Sequence, residues 1–228
     1  MLKPPYEFDE LVRQCYIIGV KSLPLVGITG FIMGLVLTIQ SRPTLAEFGA
    51  ESWLPAMIAV SVIREIGPVI TALICAGKVG SGIGAELASM KVSEQLDAME
   101  VSGINPFKYL VITRVVATML MVPILVIFSD VIALMGSYIA VNIKADVSMQ
   151  LFFAQVFAKL DFMDVFPSLI KTFFFGFAIG LVACCKGYYA EKGTEGVGVS
   201  ANSAVVMGSL MVFIIDMIAV QVTSLFSH

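Results

Sequence analysis

Two adjacent charged residues, Arg64 and Glu65, lie near the middle of an apolar run that extends from Trp53 to Cys75. A run of this length matches the thickness of a bilayer, where a central charge costs about 2.5–3.5 kcal/mol even on a lenient insertion scale. Neighbouring helical side chains point about 100° apart, so each charge needs its own partner. The pair is therefore the first candidate for chemistry, either as a structural polar network or as a site for a charged ligand or a proton.

Candidate partners for this pair lie in other apolar runs, or in a second copy of the chain, and they are Lys171, Asp130, Asp164 and Asp216. Lys171 lies near the end of its run, so its ammonium either reaches the membrane interface or contacts a lipid phosphate. Asp130 and Asp216 lie deeper and should face protein or a water-filled cavity.

A proton relay through Glu65, Asp130 and Asp216 is the main alternative function, and it would belong to an ion-coupled secondary transporter. No internal repeat of the kind that many such transporters show is evident. An intramembrane enzyme is a weaker alternative, because no paired nucleophile and base is visible and we assign no catalytic residue.

The composition indicates an integral membrane protein, with 58% apolar residues, 14% charged residues and a mean hydropathy of +0.95. A net charge of −3 and the absence of a basic run argue against a nucleic-acid partner. The four cysteines lack the spacing of a metal site and are expected to be free thiols. We therefore expect an all-α membrane domain over residues 1–228, with no metal.

Five apolar stretches predict five transmembrane helices. Their approximate bounds are Leu23–Ile39, Leu54–Cys75, Leu110–Val141, Phe166–Cys184 and Val205–Phe226. The third exceeds the bilayer thickness, so it should tilt, protrude or bend at Pro123. Residues 1–22 carry apolar side chains at helical spacing and predict an interfacial amphipathic helix rather than a cleaved signal peptide.

The distribution of basic residues predicts a cytoplasmic amino terminus and a carboxyl terminus on the outer side of the membrane. With that orientation the inner segments hold Lys3, Arg13, Lys21, Lys78, Lys91, Lys108, Arg114, Lys186 and Lys192, and the outer segments hold only Arg42, Lys144 and Lys159. The terminal His228 would lie outside the cytoplasm and carries no expected chemistry.

The segment after the second span opens with several glycines and continues as an amphipathic pattern with an acidic face. The pattern predicts one short helix within residues 84–103, which either lies on the membrane or docks a cytoplasmic partner. Its glycines do not form an ATP site, because the Ser/Thr of a phosphate-binding loop is missing. Pairs such as Gly30 with Gly34 and Gly176 with Gly180 instead favour close helix packing.

Several motifs carry a resemblance to a known family. They are the run from Ile63 to Ile70, Ala76-Gly77-Lys78-Val79-Gly80-Ser81, Ala85-Glu86-Leu87, Glu94-Gln95-Leu96, Ala98-Met99-Glu100 and Asn105-Pro106. Together they resemble the MlaE/YrbE permease family, the membrane subunits of MCE-associated ABC lipid transporters. The resemblance covers nearly the whole chain.

This resemblance implies a homodimeric permease of the bacterial inner membrane that moves phospholipid, in systems that maintain outer-membrane asymmetry. It implies a cytoplasmic ABC ATPase that binds the ATP, a periplasmic MCE-domain protein and, in many systems, a STAS-domain partner. The chain itself would hold no cofactor.

The resemblance also implies roles for single residues. Substrate contacts would come from Arg64, Glu65, Leu37, Leu45 and Phe48, with the leucines and the phenylalanine around acyl chains. Lys171 joins these candidates on the interpretation that it contacts a lipid phosphate, which its position in the span leaves open. Contacts to the ATPase would come from Glu86, Glu94, Asp97 and Glu100.

Overall fold

The computed structural model describes residues 8–143, 147–191 and 193–226, and within these ranges the chain is helical without a β-strand. Five helical stretches are long and apolar enough to cross a membrane: Phe8–Glu47, Glu51–Val92, Phe107–Asn142, Asp164–Tyr188 and Thr194–Leu225. The all-α fold and the five spans predicted from the sequence are confirmed. Residues 1–7 of the predicted interfacial helix, Lys144, Lys192 and His228 lie outside the described residues.

The first three stretches contain more than one regular element each, and each of the last two is part of a single helix. The α-helices are α1 (Phe8–Gly19), α2 (Leu23–Glu47), α3 (Leu54–Ser61), α4 (Gly67–Cys75), α5 (Ser81–Val92), α6 (Gln95–Val101), α7 (Thr113–Asn142), α8 (Met149–Phe157), α9 (Phe162–Tyr188) and α10 (Thr194–Phe226). Turns of 3-10 helix cover Val20–Ser22 and Glu51–Trp53, and π-helical turns cover Val62–Ile66, Ala76–Gly80 and Phe107–Ile112. Such π-helical turns are rare in proteins, and those that do occur are often found at functional sites.

One compact unit consists of residues Leu23–Thr71 and Leu125–Ile170. In it α2 packs closely on α7, because Gly30 and Gly34 leave room for the backbone of Ser129 and Ala133. A buried hydrogen bond from Thr38 Oγ1 to Ser137 Oγ, 2.8 Å long, joins the same helices. The predicted role of Gly30 and Gly34 in helix packing is confirmed.

The hydrophobic core of this unit is built from α3, α7 and α8. Its fully buried side chains include Ile58, Val62, Ala133, Phe152 and Val156. In a membrane, an apolar side chain gains little from burial in the protein, because the surrounding lipid is also apolar. Close packing between the helices therefore supplies much of the stabilisation.

The second compact unit consists of the residues up to Ser22, residues Ala72–Ile124 and the residues from Lys171 on. In it α9 crosses α7 at Gly176 and Gly180, both of which contact Thr118. At Gly84 the helix α5 lies close to α10, where an added Cβ would be 3.1 Å from the Cβ of Ala204. These glycines also serve close packing, as predicted for Gly176 and Gly180.

The helix α1 confirms the helical part of the amino-terminal prediction and adds an unexpected orientation. Its apolar residues Phe8, Val12 and Tyr16 are exposed, whereas Glu10 and Gln14 are buried against the protein. Gln14 Nε2 donates to Glu10 Oε1 at 2.7 Å, and Arg13 Nη1 donates to Glu10 Oε2 at 3.0 Å. An exposed apolar face with an internal polar face is the arrangement expected of a helix that contacts lipid.

Two sequence predictions about the second span are wrong. The second helical stretch does not end at Cys75, because the π-helical turn Ala76–Gly80 leads directly into α5. The predicted single helix over residues 84–103 is two helices, α5 and α6, since Glu94 adopts a left-handed conformation with φ 57° between them. Glycines favoured a loop in the sequence, but in the structure they lie in helical turns, and of Gly77, Gly82 and Gly84 only Gly84 has a neighbouring helix within 4 Å of an added Cβ.

Candidate functional site

The charged pair of the second span lies on the π-helical turn Val62–Ile66. Arg64 Nη1 is 3.6 Å from Asp164 Oδ1 at the start of α9, and the two side chains are 47% and 17% exposed. Asp164 was one of the four partners considered from the sequence. The prediction that Arg64 finds a partner outside its own pair is therefore confirmed, while Glu65 is partly buried beside it.

A hydrogen bond holds α9 against the same turn. Ser168 Oγ donates to the carbonyl oxygen of Ile63 at 2.6 Å. A backbone carbonyl oxygen has two lone pairs, so it can accept from Ser168 as well as from within its own helix. Ser168 was not predicted, because a serine nearly two turns into an apolar helix resembles an ordinary helix-packing residue.

The apolar candidates of the site divide into two environments. Leu37 and Leu45 are partly buried and pack against the hydrophobic core of their unit, as does Ile63 next to Arg64. Phe48 is 79% exposed beyond the end of α2. Leu37 and Leu45 thus share one apolar cluster with the residue adjoining Arg64, and their contact with acyl chains stays a prediction.

Asp130 is packed against the residue that follows the π-helical turn. Its Cγ lies 3.0 Å from the position of a Cβ added at Gly67, so this helix contact requires glycine. Its Oδ1 is fully buried and has no hydrogen-bond partner in the part of the chain that the structure describes. This agrees with the expectation that Asp130 faces protein rather than lipid.

Lys171 belongs to the other compact unit and is held by a carboxylate. Its Nζ donates to Asp216 Oδ1 at 2.9 Å, and the lysine side chain is 5% exposed. Its ammonium therefore does not extend to the membrane interface, which was one of two interpretations of the sequence. A role of Lys171 in contacting lipid stays a prediction.

The residues predicted to meet an ATPase lie on α5, α6 and the turn between them. Glu94, Asp97 and Glu100 are exposed, and Lys91 Nζ contacts Asp97 Oδ1 at 3.0 Å. The apolar side chain of Val101 is 91% exposed at the end of α6, and that of Ile104 is 46% exposed. Exposed apolar side chains rimmed by charged residues are typical of a protein docking site.

Glu86 has a partner that the sequence did not reveal. Its Oε1 is 2.9 Å from Nη2 of Arg114, whose side chain is 2% exposed at the start of α7. Arg114 was treated only as a basic residue of an inner segment. Its position next to a long apolar run, on the helical face of the buried Leu110, was the available signal.

The fold and these groups define a multi-pass membrane protein with charged side chains inside its spans. Residues 11–222 match the family model described as Permease MlaE. A probable ABC transporter permease protein of Rickettsia typhi is 41% identical over 214 residues, which are 94% of this chain and 83% of the relative. The chain belongs to the MlaE permease family.

More distant relatives cover the chain to a similar extent. A probable ABC transporter permease protein of Synechocystis is 34% identical over 203 residues, 89% of this chain and 77% of the relative. The intermembrane phospholipid transport system permease protein MlaE of Haemophilus influenzae is 33% identical over 212 residues, 92% of this chain and 81% of the relative. The family resemblance stated from the motifs is confirmed.

Proposed function

We propose that this chain is the permease subunit of an ABC transporter that moves phospholipid between the bacterial inner membrane and a periplasmic MCE-domain protein. Two copies enclose the lipid path, a separate cytoplasmic ATPase supplies the energy, and a STAS-domain protein is a further partner. Family membership supports this function, as does the name of the Haemophilus influenzae relative, an intermembrane phospholipid transport system permease protein.

The exposure of Arg64 is the structural observation that carries the proposal. A guanidinium in the middle of a spanning stretch, 47% exposed, cannot face hydrocarbon without a large cost. It therefore faces a polar cavity or a second copy of the chain. Either environment suits a lipid path in which Arg64 and Glu65 contact the headgroup while Leu37, Leu45 and Phe48 contact the acyl chains.

The ion pair with Asp164 fits such a site. The pair is long, at 3.6 Å, and the guanidinium has five N–H donors, so it can bind a phosphate without losing Asp164. Bidentate recognition of phosphate is a common role of arginine. Arg64 is the residue we assign to the phosphate of the transported lipid.

Coupling to the ATPase is assigned to α5, α6 and their connection. The exposed carboxylates of Glu94, Asp97 and Glu100 provide charge, and Val101 provides apolar contact area. Because α5 continues the second span without a loop, a displacement of α6 by the ATPase would be transmitted to that span. Contact of α5 and α6 with a cytoplasmic ATPase goes with a cytoplasmic amino terminus and a periplasmic carboxyl terminus.

The proton-relay alternative receives less support. Asp216, one of its three carboxylates, is bound to Lys171 within a nearly buried ion pair. The family and its relatives are named as ABC permeases rather than as ion-coupled transporters. We therefore retain the ABC permease as the proposed function.

Reconstitution tests this function directly. The chain, its ATPase and its MCE protein are placed in proteoliposomes, and transfer of labelled phospholipid to or from the MCE protein is measured with and without ATP. We expect ATP-dependent transfer that falls at least tenfold in Arg64→Gln. Transfer that does not depend on ATP but stops when a proton gradient is collapsed would instead support the proton-relay alternative.

A second measurement separates docking from lipid binding. Charge reversal in Asp97→Lys combined with Glu100→Lys should abolish capture of the ATPase while leaving the bound phospholipid, measured by mass spectrometry, unchanged. Glu195→Lys is the matched control, because Glu195 is exposed at the start of α10 and is not assigned to the docking surface. Equal loss of ATPase in the control would contradict the assignment.

A further inference from the structure

A polar cavity of about 410 Å³ lies among helices α1, α5, α6 and the start of α7, and none of the residues assigned to lipid transport lines it. It is lined by Glu10, Arg13, Glu86, Ser89, Met90, Gln95, Tyr109, Leu110 and Arg114. All of these residues belong to one compact unit. The volume is within the range of small-molecule binding sites, about 300–1,000 Å³.

The cavity carries two acidic and two basic side chains. Glu10 is paired with Arg13 at 3.0 Å, and Glu86 is paired with Arg114 at 2.9 Å. A cavity with two acidic and two basic side chains does not favour a ligand that carries only a negative charge or only a positive charge. These four side chains favour a ligand that itself carries one negative and one positive group. Such a ligand can bind next to both ion pairs without leaving a buried charge unbalanced.

Arg114 provides an unused donor in this cavity. Its Nη1 donates to the carbonyl oxygen of Leu110 at 3.1 Å, and its Nη2 contacts Glu86. The Nε is buried and has no hydrogen-bond partner within the described ranges. A buried donor without a partner costs about 1–3 kcal/mol, so an acceptor that reaches this guanidinium would be bound favourably.

One wall of the cavity adjoins the lipid-facing helix. Glu10 and Arg13 line the cavity from α1, while Phe8, Val12 and Tyr16 on the same helix are 65%, 54% and 58% exposed. An amphipathic helix of this kind lies at the level of the lipid headgroups. Headgroups are therefore the charged groups present at highest concentration next to the cavity.

We propose that this cavity binds the headgroup of a primary-amine zwitterionic phospholipid, with the phosphate at Arg13 and Arg114 and the ammonium at Glu10 and Glu86. The site lies in the leaflet that contains α1 and is distinct from the lipid path assigned to Arg64. It requires membrane insertion of the chain but neither an ATPase nor transport. Its failure and that of the proposed function are therefore distinguishable.

Counting retained lipids tests the site. The purified chain is exchanged into phosphatidylcholine nanodiscs with added phosphatidylethanolamine, released in detergent and examined by native mass spectrometry. The variant Ser89→Phe fills the cavity from an exposed position and leaves both ion pairs intact. We expect it to retain one phosphatidylethanolamine fewer per chain than the wild type. Equal retention by Ser89→Phe and the wild type would overturn the proposal.

Matched variants and ligands make the result specific. Asn202→Phe adds the same bulk at an exposed position of α10 that does not line the cavity, and it should retain the wild-type number. Arg64→Gln should lose a different lipid, so its loss should add to that of Ser89→Phe. Phosphatidylglycerol and inorganic phosphate should not replace phosphatidylethanolamine. Replacement by either would overturn the zwitterionic assignment.

The test must also distinguish a lipid headgroup in this cavity from a docked protein. If Ser89→Phe abolished capture of the ATPase while the count of retained phosphatidylethanolamine stayed at the wild-type value, the cavity would be a protein docking site and the proposal would be wrong. Glu86→Gln provides a second check, since glutamine removes the negative charge but keeps a side-chain oxygen that can accept from Arg114. It should weaken retention of phosphatidylethanolamine more than tenfold and retention of phosphatidylcholine less.

Discussion

Lys171 Nζ lies 2.9 Å from Asp216 Oδ1, and this ion pair joins α9 to α10 in a region where the lysine is 5% exposed and the aspartate 20% exposed. The other side chains of α10 are largely exposed, with Met217 and Ile218 next to the aspartate at 63% and 51%. The ion pair is therefore one of the specific contacts that fix the register of α10 against α9.

Removal of one partner of this pair should destabilise the protein strongly. Lys171→Met leaves the Asp216 carboxylate without its cation, and loss of one partner of a buried pair costs about 3–5 kcal/mol. The double variant Lys171→Met with Asp216→Leu leaves no unpaired charge and should unfold close to the wild type. The measurement is the midpoint of thermal unfolding in nanodiscs.

An exposed lysine provides the control for this prediction. Lys159 lies over the ring of Trp53, with Nζ 4.8 Å from the ring centroid, and is exposed. Lys159→Met should shift the midpoint far less than Lys171→Met. A double variant as unstable as the single one would show that α10 depends on charge at these positions rather than on balanced charge.

Close helix contact at Gly34 should be intolerant of even one methyl group. A Cβ there would overlap the backbone of Ala133 and lie 3.0 Å from its Cα. Overpacking of this kind costs about 1–3 kcal/mol, so Gly34→Ala should lower the unfolding midpoint. Gly82→Ala is the matched control, because nothing lies within 4 Å of its added Cβ. Similar midpoints for the two variants would contradict the packing role.

The membrane fold was predictable because apolar run length is a direct consequence of bilayer thickness. The continuation of the helix through Ala76–Gly80 was not predicted, because the glycines and Lys78 favoured a loop there. Lys78 instead donates its Nζ to the carbonyl oxygen of Lys21, so the charge is satisfied while the helix continues. A contact so distant in sequence is not visible in a local pattern.

The candidate site was predictable in position but not in partners. Arg64 was identified because a charge in an apolar run is costly, and Asp164 was one of four candidates. The choice among them depends on how α9 is placed against the π-helical turn, which Ser168 fixes by its bond to Ile63. The pairing of Glu86 with Arg114 was missed because Glu86 was considered only as a contact to the ATPase and Arg114 only as a basic residue of an inner segment.

The left-handed conformation of Glu94 allows the role of its charge to be separated from the role of its backbone. Glu94→Gly and Glu94→Ala both remove the carboxylate, but only glycine adopts φ 57° without strain. We expect Glu94→Gly to be more stable than Glu94→Ala by about 1 kcal/mol, measured by thermal unfolding. Both should bind the ATPase equally weakly if the carboxylate makes the contact. Retained binding by Glu94→Gly alone would assign the contact to the turn.

Exchange of the charges of Arg64 and Asp164 should separate structure from transport. Arg64→Asp alone brings two carboxylates together and should lower both stability and ATP-driven phospholipid transfer. The double variant Arg64→Asp with Asp164→Arg restores an ion pair across the same 3.6 Å contact and should recover the unfolding midpoint. If Arg64 binds the lipid phosphate from its position on the π-helical turn, transfer should stay at least tenfold below the wild type. Recovery of transfer together with stability would limit the pair to helix packing and remove Arg64 from the lipid site.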